Sequence, residues 1–462
     1  MQFRRTIQEI ASRFEKLKPD FDLNATGLFH YTHEGIGKRS RLHLRIDPDQ
    51  NAILMINANR IVHLNPTAAF MARLALERIS HDQAIRAITR KFNVSNKEAS
   101  SDYAQFANDF KQLTRSDSIC PICDLDLQVS APFSIQPAAP YRMDLALTYR
   151  CNNNCAHCYN ARPRHFPELP TEAWYEILDN LWQIGIPHVV FTGGEPTLRN
   201  DLHLLISHAE KNGQITGLNT NARRLSDERF LSQLVEAGLD HIQITVESHN
   251  PSIHDQMVRA KGAWKQTIHG LRNALKTPLY VMTNTTMLRG NSPLLADTLE
   301  FLASLGVPTI GLNALIYSGN GLTVGTGLSE GELPSLLEVA RRITDKNEQR
   351  LIWYTPTQYC NFDPMQLELG IKGCTAALYN MCIEPDGAVI PCQSYYQPVG
   401  NILCDPWNSI WNHDLSISLR ERRYIQDECQ DCVLLSECGG GCPLAIQANK
   451  QTVIPLNKIG IG

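Results

Sequence analysis

The chain has 462 residues, a hydrophobic content of 43% and a formal net charge of −4. A chain of that length predicts about three domains, and the small negative charge argues against a partner such as nucleic acid or an anionic membrane surface. No segment approaches the roughly 20 apolar residues of a membrane-spanning helix, and the first residues lack the unbroken apolar core of a signal peptide. We therefore expect a cytoplasmic protein that binds neither nucleic acid nor a membrane.

The chain also contains 14 cysteines. Without an export signal, thiols in a protein of this size are better explained as reduced metal ligands than as disulfides. The positions of the cysteines therefore guide the search for chemistry.

The first 117 residues predict a small α+β domain. Its start spaces Phe3, Ile7, Ile10 and Phe14 at helical intervals. Three short apolar runs, at 42–45, 53–56 and 60–64, are separated by turn-forming residues. They predict a small antiparallel sheet with tight turns.

Three helical segments follow this sheet, at 66–76, 80–91 and 95–113, and each has a capping residue at its start. The layout is that of a winged helix, and with the phrase IVHLNPTAAFMARLA it resembles the PqqD-like peptide chaperone of pyrroloquinoline quinone biosynthesis. The same module, called a RiPP recognition element, is found fused to enzymes that modify ribosomally made peptides. The resemblance implies that residues 40–115 bind a leader peptide as an added strand at the sheet edge. The alternative is a winged helix used for dimerisation or as a cap.

Residues 118–142 read as a linker that contains Cys120-Pro121-Ile122-Cys123. Two cysteines cannot fix a metal by themselves. They either borrow ligands from elsewhere or are free thiols in a tight turn.

Residues 143–328 alternate strand and helix patterns. The strands are expected at 145–148, 189–192, 215–219, 241–246, 279–285 and 309–315, with helical segments between them. Six βα units are fewer than a closed eight-unit barrel requires, so the pattern predicts an α/β fold with a partial (β/α)6 TIM-type barrel. An open barrel of this kind can admit a peptide from the side.

Three cysteines, Cys151, Cys155 and Cys158, lie in the run TYRCNNNCAHCYN, directly after a strand expected over 142–148. This places the thiols at the carboxyl end of a barrel strand, where parallel α/β barrels have their chemistry. A [4Fe-4S] cluster normally takes four cysteines, so this spacing leaves one iron free to bind a substrate or cofactor. The alternative is a zinc knuckle or incidental thiols.

The sequence Gly193-Gly194-Glu195-Pro196 follows the next predicted strand. With the three cysteines it resembles the radical S-adenosylmethionine (SAM) family, which has a GGEP motif. The resemblance implies that SAM chelates the open iron, and that an electron from the cluster cleaves SAM to a 5'-deoxyadenosyl radical. It also implies that this motif binds the SAM ammonium, because glycines let backbone approach a ligand and Glu195 offers a negative acceptor.

The same resemblance implies further contacts to SAM. They are His157 near the adenine, Asn221 after the third strand, Thr245 and Glu247 at the ribose, and Arg259 at the carboxylate. Ala222 stands where the family has a glycine. Glu247 is alternatively a solvated loop carboxylate.

The part of the chain from 329 to 462 is rich in cysteine. Its pattern is Cys374-x12-Gly387-x4-Cys392, then Cys429-x2-Cys432-x5-Cys438-x3-Cys442, with Cys360 upstream. This order, with PDGAVIPC and ECGGGCP around it, resembles the SPASM domain, which holds two auxiliary [4Fe-4S] clusters. A zinc ribbon would explain CQDC alone but not seven thiols around a GGGC turn.

The SPASM resemblance implies two sets of ligands. The first auxiliary cluster would take Cys360, Cys374, Cys392 and Cys442. The second would take Cys429, Cys432 and Cys438 plus a downstream cysteine, which this chain lacks. Either the second cluster has an open or non-cysteine ligand, or Cys382 or Cys404 fills the gap, or the cluster is degenerate. Cys382 is also an alternative to Cys360 in the first cluster.

The three modules together resemble a radical SAM/SPASM peptide maturase with a fused leader-binding domain. The resemblance implies SAM and three [4Fe-4S] clusters as cofactors, a precursor peptide with a leader as substrate, and an external electron donor. The modification would be a crosslink, an epimerisation or a backbone excision. One rival is a radical SAM/SPASM oxidoreductase acting on a small molecule such as a tetrapyrrole, against which the winged helix argues. Another is a non-catalytic peptide-binding iron-sulfur protein, against which the intact cysteines and Glu195 argue.

Overall fold

The computed structural model describes residues 22–35, 38–57, 60–115 and 137–452. These residues belong to two compact units, Met1–Val129 and Ser130–Gly462. The helix predicted at the start of the chain, as well as Cys120 and Cys123, lie outside the described residues.

The amino-terminal unit contains a four-stranded antiparallel sheet in the order β1-β2-β3-β4. Its strands are β1 (Gly27–Gly35), β2 (Lys38–Ile46), β3 (Ala52–Ile56) and β4 (Arg60–Leu64). The three predicted strands are present, but β1 was not predicted. It pairs with β2 over nine residues, from Gly27 opposite Ile46 to Gly35 opposite Lys38. Its sequence GLFHYTHEG contains Phe29, Tyr31 and Thr32, which favour strands, and the pairing along β2 is what establishes the strand.

Three helices follow the sheet: α1 (Pro66–Leu76), α2 (His81–Phe92) and α3 (Asn96–Arg115). The Asn65 side chain accepts a hydrogen bond from the Ala68 amide at 2.8 Å and so caps α1. Leu44 and Leu54 on one face of the sheet pack with Ala72 of α1 in one apolar core. The expected sheet and three helices are therefore present.

The carboxy-terminal unit is built on a ten-stranded sheet in the order β11-β10-β9-β8-β7-β6-β5-β12-β13-β14. The strands are β5 (Arg142–Thr148), β6 (His188–Gly193), β7 (Ile215–Thr220), β8 (His241–Thr245), β9 (Tyr280–Thr286), β10 (Thr309–Asn313), β11 (Arg350–Trp353), β12 (Asn380–Ile383), β13 (Ala388–Ile390) and β14 (Gly400–Asn401). Strands β5 to β11 are parallel in sequence order. The six predicted barrel strands are β5 to β10, and β11 extends the parallel sheet beyond them. On the other side, β12 adds to β5 in parallel.

Helices cover the outer face of this sheet. They are α4 (Thr171–Ile184), α5 (Leu202–Asn212), α6 (Glu228–Glu236), α7 (Pro251–Val258), α8 (Ala263–Ala274), α9 (Leu295–Ser304) and α10 (Leu333–Lys346). Further helices follow in the cysteine-rich part of the chain: α11 (Trp407–Trp411), α12 (Asp414–Arg420), α13 (Leu435–Cys438) and α14 (Pro443–Thr452). Met143, Leu145 and Leu147 of β5 belong to the same apolar core as Trp174 and Ile177 of α4. Alternate residues of a strand point to opposite faces, so Asp144, Ala146 and Thr148 lie on the inner face of the barrel.

The fold class predicted from the sequence is confirmed in the described residues. None of the helices described there has both the length and the apolar character that a membrane span requires.

Candidate active site

The loop that carries Cys151, Cys155 and Cys158 follows the carboxyl end of β5, and all three thiols are partly buried. The end of α7 holds this loop through the backbone. The Asn154 amide donates to the Val258 carbonyl and the Ala156 amide to the Met257 carbonyl, each at 3.0 Å. The loop therefore has a defined position above the strand ends.

Two arginines hold the backbone of the same loop. Arg164 donates to the carbonyl oxygens of Cys151 at 3.1 Å and Asn153 at 2.7 Å. Arg223 donates to the Asn152 carbonyl and, at 2.8 Å, to the Asn153 side chain. The planar fork of a guanidinium suits such paired contacts. Neither arginine was predicted, because nothing in the sequence around them shows which loop they reach.

The electrostatics of the three thiols fit a positively charged cluster. Burial raises the pKa of Cys151, Cys155 and Cys158 above the usual thiol value, and the charges of Cys158 and Cys151 raise that of Cys155 further. Bound metal compensates such a cost, because it stabilises the thiolate form. Within the described parts of the chain, no three His, Cys, Asp or Glu side chains converge on one point as ligands of a single ion. A cubane instead spreads its cysteine ligands over separate irons.

Gly193 and Gly194 let the end of β6 pack directly on the start of the cysteine loop. The Gly194 amide donates to the Thr148 carbonyl at 2.7 Å. A side chain at Gly193 would collide with the Thr148 carbonyl oxygen, and one at Gly194 would collide with the Arg150 carbonyl and lie 2.7 Å from that of Tyr149. These glycines are therefore required by contact between two strand ends, a reason that sequence analysis did not give.

Glu195 is fully buried and ties the ends of β6 and β7 together. Its Oε1 accepts from the Thr197 amide at 3.1 Å, the Thr197 hydroxyl at 2.7 Å and the Thr220 hydroxyl at 2.6 Å. Its Oε2 accepts from the Asn221 amide at 2.8 Å. Burial raises the pKa of Glu195, and these hydrogen bonds oppose the rise. A carboxylate oxygen has two acceptor positions, so Oε2 can still accept from one ligand donor.

Two neighbours of Glu195 complete this strand end. Pro196 is buried and begins a short 3-10 turn over Pro196–Leu198. The Asn221 side chain donates to that of Asn152 at 2.6 Å, which links the end of β7 to the cysteine loop. Ala222, which replaces the family's glycine, adopts a left-handed backbone with φ of +59°. The local turn is therefore retained despite the substitution.

His157 and Glu247 form a buried pair beside the cysteine loop. His157 Nε2 lies 3.0 Å from Glu247 Oε1, and Glu247 Oε2 accepts from the Thr286 amide at 3.0 Å. Burial lowers the pKa of His157, but the charge and hydrogen bond of Glu247 outweigh it and the pKa rises. Glu247 is only 1% exposed. The alternative that it is a solvated loop carboxylate is therefore wrong, while a ribose contact stays a prediction.

Thr245 and Arg259 take positions near this pair. Thr245 is the last residue of β8. Arg259 is exposed and directly follows α7, with a left-handed φ of +49°. Because the cysteine loop bonds to the two preceding carbonyls of α7, Arg259 is adjacent to that loop. Their contacts to SAM stay predictions.

Hydrogen bonds also connect the cysteine loop with the segment after β13. The hydroxyl of Tyr159, next to Cys158, donates to the Gln393 side chain at 2.9 Å, and Gln393 directly follows Cys392. The Tyr396 hydroxyl donates to the Tyr159 carbonyl at 2.8 Å. Sequence analysis missed these tyrosines, because tyrosine in a loop gives no signal of its partner.

The carboxy-terminal cysteines lie in several segments that turns bring together. Cys374 and Cys392 pack with Tyr395 and Tyr424 in one apolar cluster. Burial and the charges of Cys442 and Cys392 raise the pKa of Cys374. Elsewhere, Cys429 precedes Cys432 in a turn closed by the bond from the Cys432 amide to the Cys429 carbonyl at 3.2 Å. Cys438 ends α13 and is buried, whereas Cys360 and Cys432 are exposed.

Cys382 occupies a different environment. It lies on β12 opposite Asp144 of β5, and it packs with Ala146 and Tyr149. Because Met381 and Ile383 belong to the outer apolar core, the Cys382 side chain points to the inner face of the barrel. It is 1% exposed.

The fold is a partial barrel with a thiol-bearing loop at its strand ends, an arrangement that fits an enzyme with an iron-sulfur cluster at that edge. Three family models match the chain: the radical SAM superfamily over residues 145–313, an iron-sulfur cluster-binding domain (SPASM) over 374–433, and coenzyme PQQ synthesis protein D (PqqD) over 50–113. The chain therefore carries a radical SAM domain, a SPASM domain and a PqqD-like domain. These domains support SAM and iron-sulfur clusters as its cofactors. The family predicted from the sequence is thereby confirmed.

Among curated proteins, the chain is 28% identical over 320 residues to the PqqA peptide cyclase of Bradyrhizobium diazoefficiens, which covers 66% of this chain and 81% of the relative. It is 26% identical to the Fe-coproporphyrin III synthase of Methanosarcina barkeri, over 65% of this chain and 83% of that relative. Among solved structures, Streptococcus suis SuiB bound to its precursor peptide SuiA has a TM-score of 0.64 at 15% identity, and covers 87% of this chain and 94% of that one. At this identity the likeness to SuiB concerns the fold.

Proposed function

We propose that this protein is a radical SAM enzyme that modifies a ribosomally synthesised precursor peptide and recognises the leader of that peptide with its amino-terminal unit. One observation carries the proposal: a PqqD-like sheet and a radical SAM cysteine loop occur in the same chain. Similarity to PqqA peptide cyclases and the fold of SuiB, which was solved with its precursor peptide, support the peptide as substrate.

The proposed cofactors are SAM and three [4Fe-4S] clusters. Cys151, Cys155 and Cys158 would hold the cluster that binds SAM, and the carboxy-terminal cysteines would hold two auxiliary clusters. Held by these three thiolates, the first cluster would supply the one-electron reducing chemistry that SAM cleavage requires. An external donor would supply the electron.

The residues around the cysteine loop would orient SAM. The remaining acceptor position on Glu195 Oε2 would take the SAM ammonium, which is a charge-assisted hydrogen bond. The exposed guanidinium of Arg259, beside the loop, would meet the SAM carboxylate. His157 and Glu247 would lie at the adenosine. Arg164 and Arg223 would fix the loop itself and have no direct contact with SAM.

The leader would dock at β4. Sequence analysis left open which edge of the sheet at 41–64 is used. Because β1 pairs along β2, β4 is the outer strand of that region in the described sheet. Strand addition uses main-chain groups for affinity and side-chain positions for specificity.

The test uses the full chain and the short peptide encoded by a neighbouring reading frame. Along an edge strand, alternate amides point toward the partner strand and away from it. Of the variants Ile61→Pro and Val62→Pro, one therefore removes an outward donor and the other disturbs the pairing with β3. We expect the outward variant to weaken leader binding about tenfold or more, in line with about 1.4 kcal/mol, while the melting temperature changes little.

Thr32→Pro is the matched control, because Thr32 is an exposed residue of β1 on the opposite edge. It should leave leader binding unchanged. Equal loss in the β1 variant and both β4 variants would exclude β4 as the docking strand.

The similarity to Fe-coproporphyrin III synthase supports a second candidate function, in which the substrate is a tetrapyrrole. The two candidates are separated by giving the reconstituted enzyme either substrate and measuring the substrate mass and the 5'-deoxyadenosine formed. The peptide proposal expects a mass change in the peptide alone. Turnover of iron coproporphyrin together with an unmodified peptide would overturn it.

A further inference from the structure

The cysteines that follow β11 do not group as the family pattern implies. Cys374 and Cys392 share one apolar cluster with Tyr395 and Tyr424. The Tyr424 hydroxyl donates to the Gly441 carbonyl at 3.4 Å, and Gly441 directly precedes Cys442. Cys374, Cys392 and Cys442 are therefore neighbours, and we call them the first auxiliary set.

The segment that leads to Cys360 packs against Cys438 instead. The Tyr359 amide donates to the Cys438 sulfur at 3.4 Å, and the Cys438 thiol lies 3.7 Å from the Thr357 carbonyl oxygen. A side chain at Gly441 would meet Gln358 Cγ at 2.9 Å. The three consecutive residues 357–359 therefore pack against the turn that begins at Cys438.

Cys360 is the next residue along that segment. Since consecutive Cα atoms are only about 3.8 Å apart, the Tyr359 amide bond to Cys438 places Cys360 close to that sulfur. Backbone hydrogen bonds join the other two cysteines to Cys438: the Cys432 amide donates to the Cys429 carbonyl at 3.2 Å, the Leu435 amide to the Cys432 carbonyl at 3.0 Å, and the Cys438 amide to the Leu434 carbonyl at 2.8 Å. Cys360 and Cys432 are both exposed, so both thiols can turn toward a cluster at the surface of the unit.

We infer that Cys360, Cys429, Cys432 and Cys438 ligate one iron-sulfur cluster, which we call the second auxiliary set. The inference rests on the proposed function, in which the chain holds two auxiliary clusters. In this assignment Cys360, an upstream residue, provides the fourth ligand, for which the family uses a downstream cysteine. It also removes Cys360 from the first auxiliary set, and it makes neither Cys382 nor Cys404 necessary for the second.

Iron content tests this assignment in a background that lacks Cys151, Cys155 and Cys158. The proposed function expects that background to hold about 8 irons per chain, in two cubanes. If the background holds clearly fewer, the two-cluster premise fails, and this result is distinct from any result on Cys360. The test assumes that three thiolates retain a cubane and two do not, as the SAM-binding cluster itself implies.

Single and double variants then separate the two assignments. With Cys360 in the second set, Cys432→Ala and Cys360→Ala each leave three ligands there and keep about 8 irons, whereas the double variant leaves two ligands and keeps about 4. The iron content of the single variant Cys392→Ala also falls to about 4 per chain, because only Cys374 and Cys442 remain as ligands in the first auxiliary set. A drop to about 4 irons in Cys432→Ala alone, or about 8 in the Cys360→Ala, Cys432→Ala double variant, would overturn the assignment.

Matched controls use the two described cysteines outside the three sets, Cys404 and Cys382. Combining Cys404→Ala or Cys382→Ala with Cys432→Ala should keep about 8 irons. A drop to about 4 irons in either combination would identify that cysteine as the fourth ligand in place of Cys360.

A measurement on the unsubstituted protein avoids any failure of variants to fold. Under anaerobic conditions, a maleimide reagent should leave Cys360 and Cys432 unmodified in cluster-loaded protein and modify both after chelation of the iron. Cys404 is also exposed, and it should react in both the loaded and the iron-free protein. Modification of Cys360 in the loaded protein to the same extent as Cys404 would contradict its role as a ligand.

Discussion

The cysteine loop and the second auxiliary set, both proposed to ligate an iron-sulfur cluster, are built in opposite ways. The loop brings Cys151, Cys155 and Cys158 together within eight residues, and the barrel holds its backbone through α7, Arg164 and Arg223. The second set is assembled from two segments, around Cys360 and around Cys429 to Cys438, and two of its four thiols are exposed.

The two sites have different structural requirements. A cofactor that must meet SAM and a substrate in one geometry requires ligands on a rigid support, since small displacements of reacting groups are costly. A cluster that only passes electrons tolerates a surface position. We therefore expect changes at the loop to affect both structure and chemistry, and equivalent changes at the auxiliary sets to affect cluster content first.

The largest effect is expected from the loop ligands themselves. Cys151→Ala, Cys155→Ala or Cys158→Ala leaves two thiolates, which cannot hold a cubane with one open iron. SAM cleavage should fall to background, and about 4 irons per chain should be lost while about 8 remain. The measurements are 5'-deoxyadenosine formation and iron content of the reconstituted protein.

SAM cleavage by any of these variants at the rate of the unsubstituted protein would contradict the role of the loop cysteines as cluster ligands. Cys432→Ala is the contrasting variant, and it should retain SAM binding because Cys432 belongs to the ligand set proposed for a different cluster.

A smaller effect is expected from the support beneath the loop. Gly194→Ala forces a methyl group against the carbonyl oxygens of Arg150 and Tyr149, which are backbone atoms that cannot swing aside. Overpacking of this kind costs about 3 kcal/mol. We expect a lower melting temperature and weaker SAM binding, because the displaced residues directly precede Cys151.

Gly262→Ala is the matched control. Gly262 has a φ of +77° and nothing within 4 Å of an added methyl group, so only the left-handed backbone costs about 1 kcal/mol. SAM affinity should be unchanged in this variant. Equal effects of the two substitutions would show that contact between the ends of β5 and β6 does not support the cofactor site.

The same contrast explains how much the sequence alone could predict. The spacing of Cys151, Cys155 and Cys158 is local, and so are the periodic strands β5 to β10, so the barrel and the cluster loop were predictable from pattern. β1 was missed, because what establishes it is the pairing with β2, which a single sequence does not show.

Contacts between distant segments were not predictable. The pairing of His157 with Glu247 requires β8 and the cysteine loop to meet, and a single sequence shows only that both residues are polar. The family pattern placed Cys360 by its order along the chain, whereas the Tyr359 contact to Cys438 is a property of the folded turn. Order along the chain is a poor guide to ligands supplied by irregular segments.

The smallest expected effect lies at the turn between the two auxiliary sets. The Tyr424 hydroxyl donates to the carbonyl oxygens of Gly439 at 3.1 Å and Gly441 at 3.4 Å, and this turn separates Cys438 from Cys442. Tyr424→Phe removes these bonds and costs about 1 kcal/mol.

Tyr395→Phe is the control, since the Tyr395 hydroxyl makes no hydrogen bond among the described residues while its ring packs in the same apolar cluster. Iron release to a chelator should be faster in Tyr424→Phe than in Tyr395→Phe, with SAM binding unchanged in both. Faster release from the SAM-binding cluster instead would mean that the loop and the auxiliary sets are coupled, and that the contrast between a rigidly held site and an assembled one is too simple.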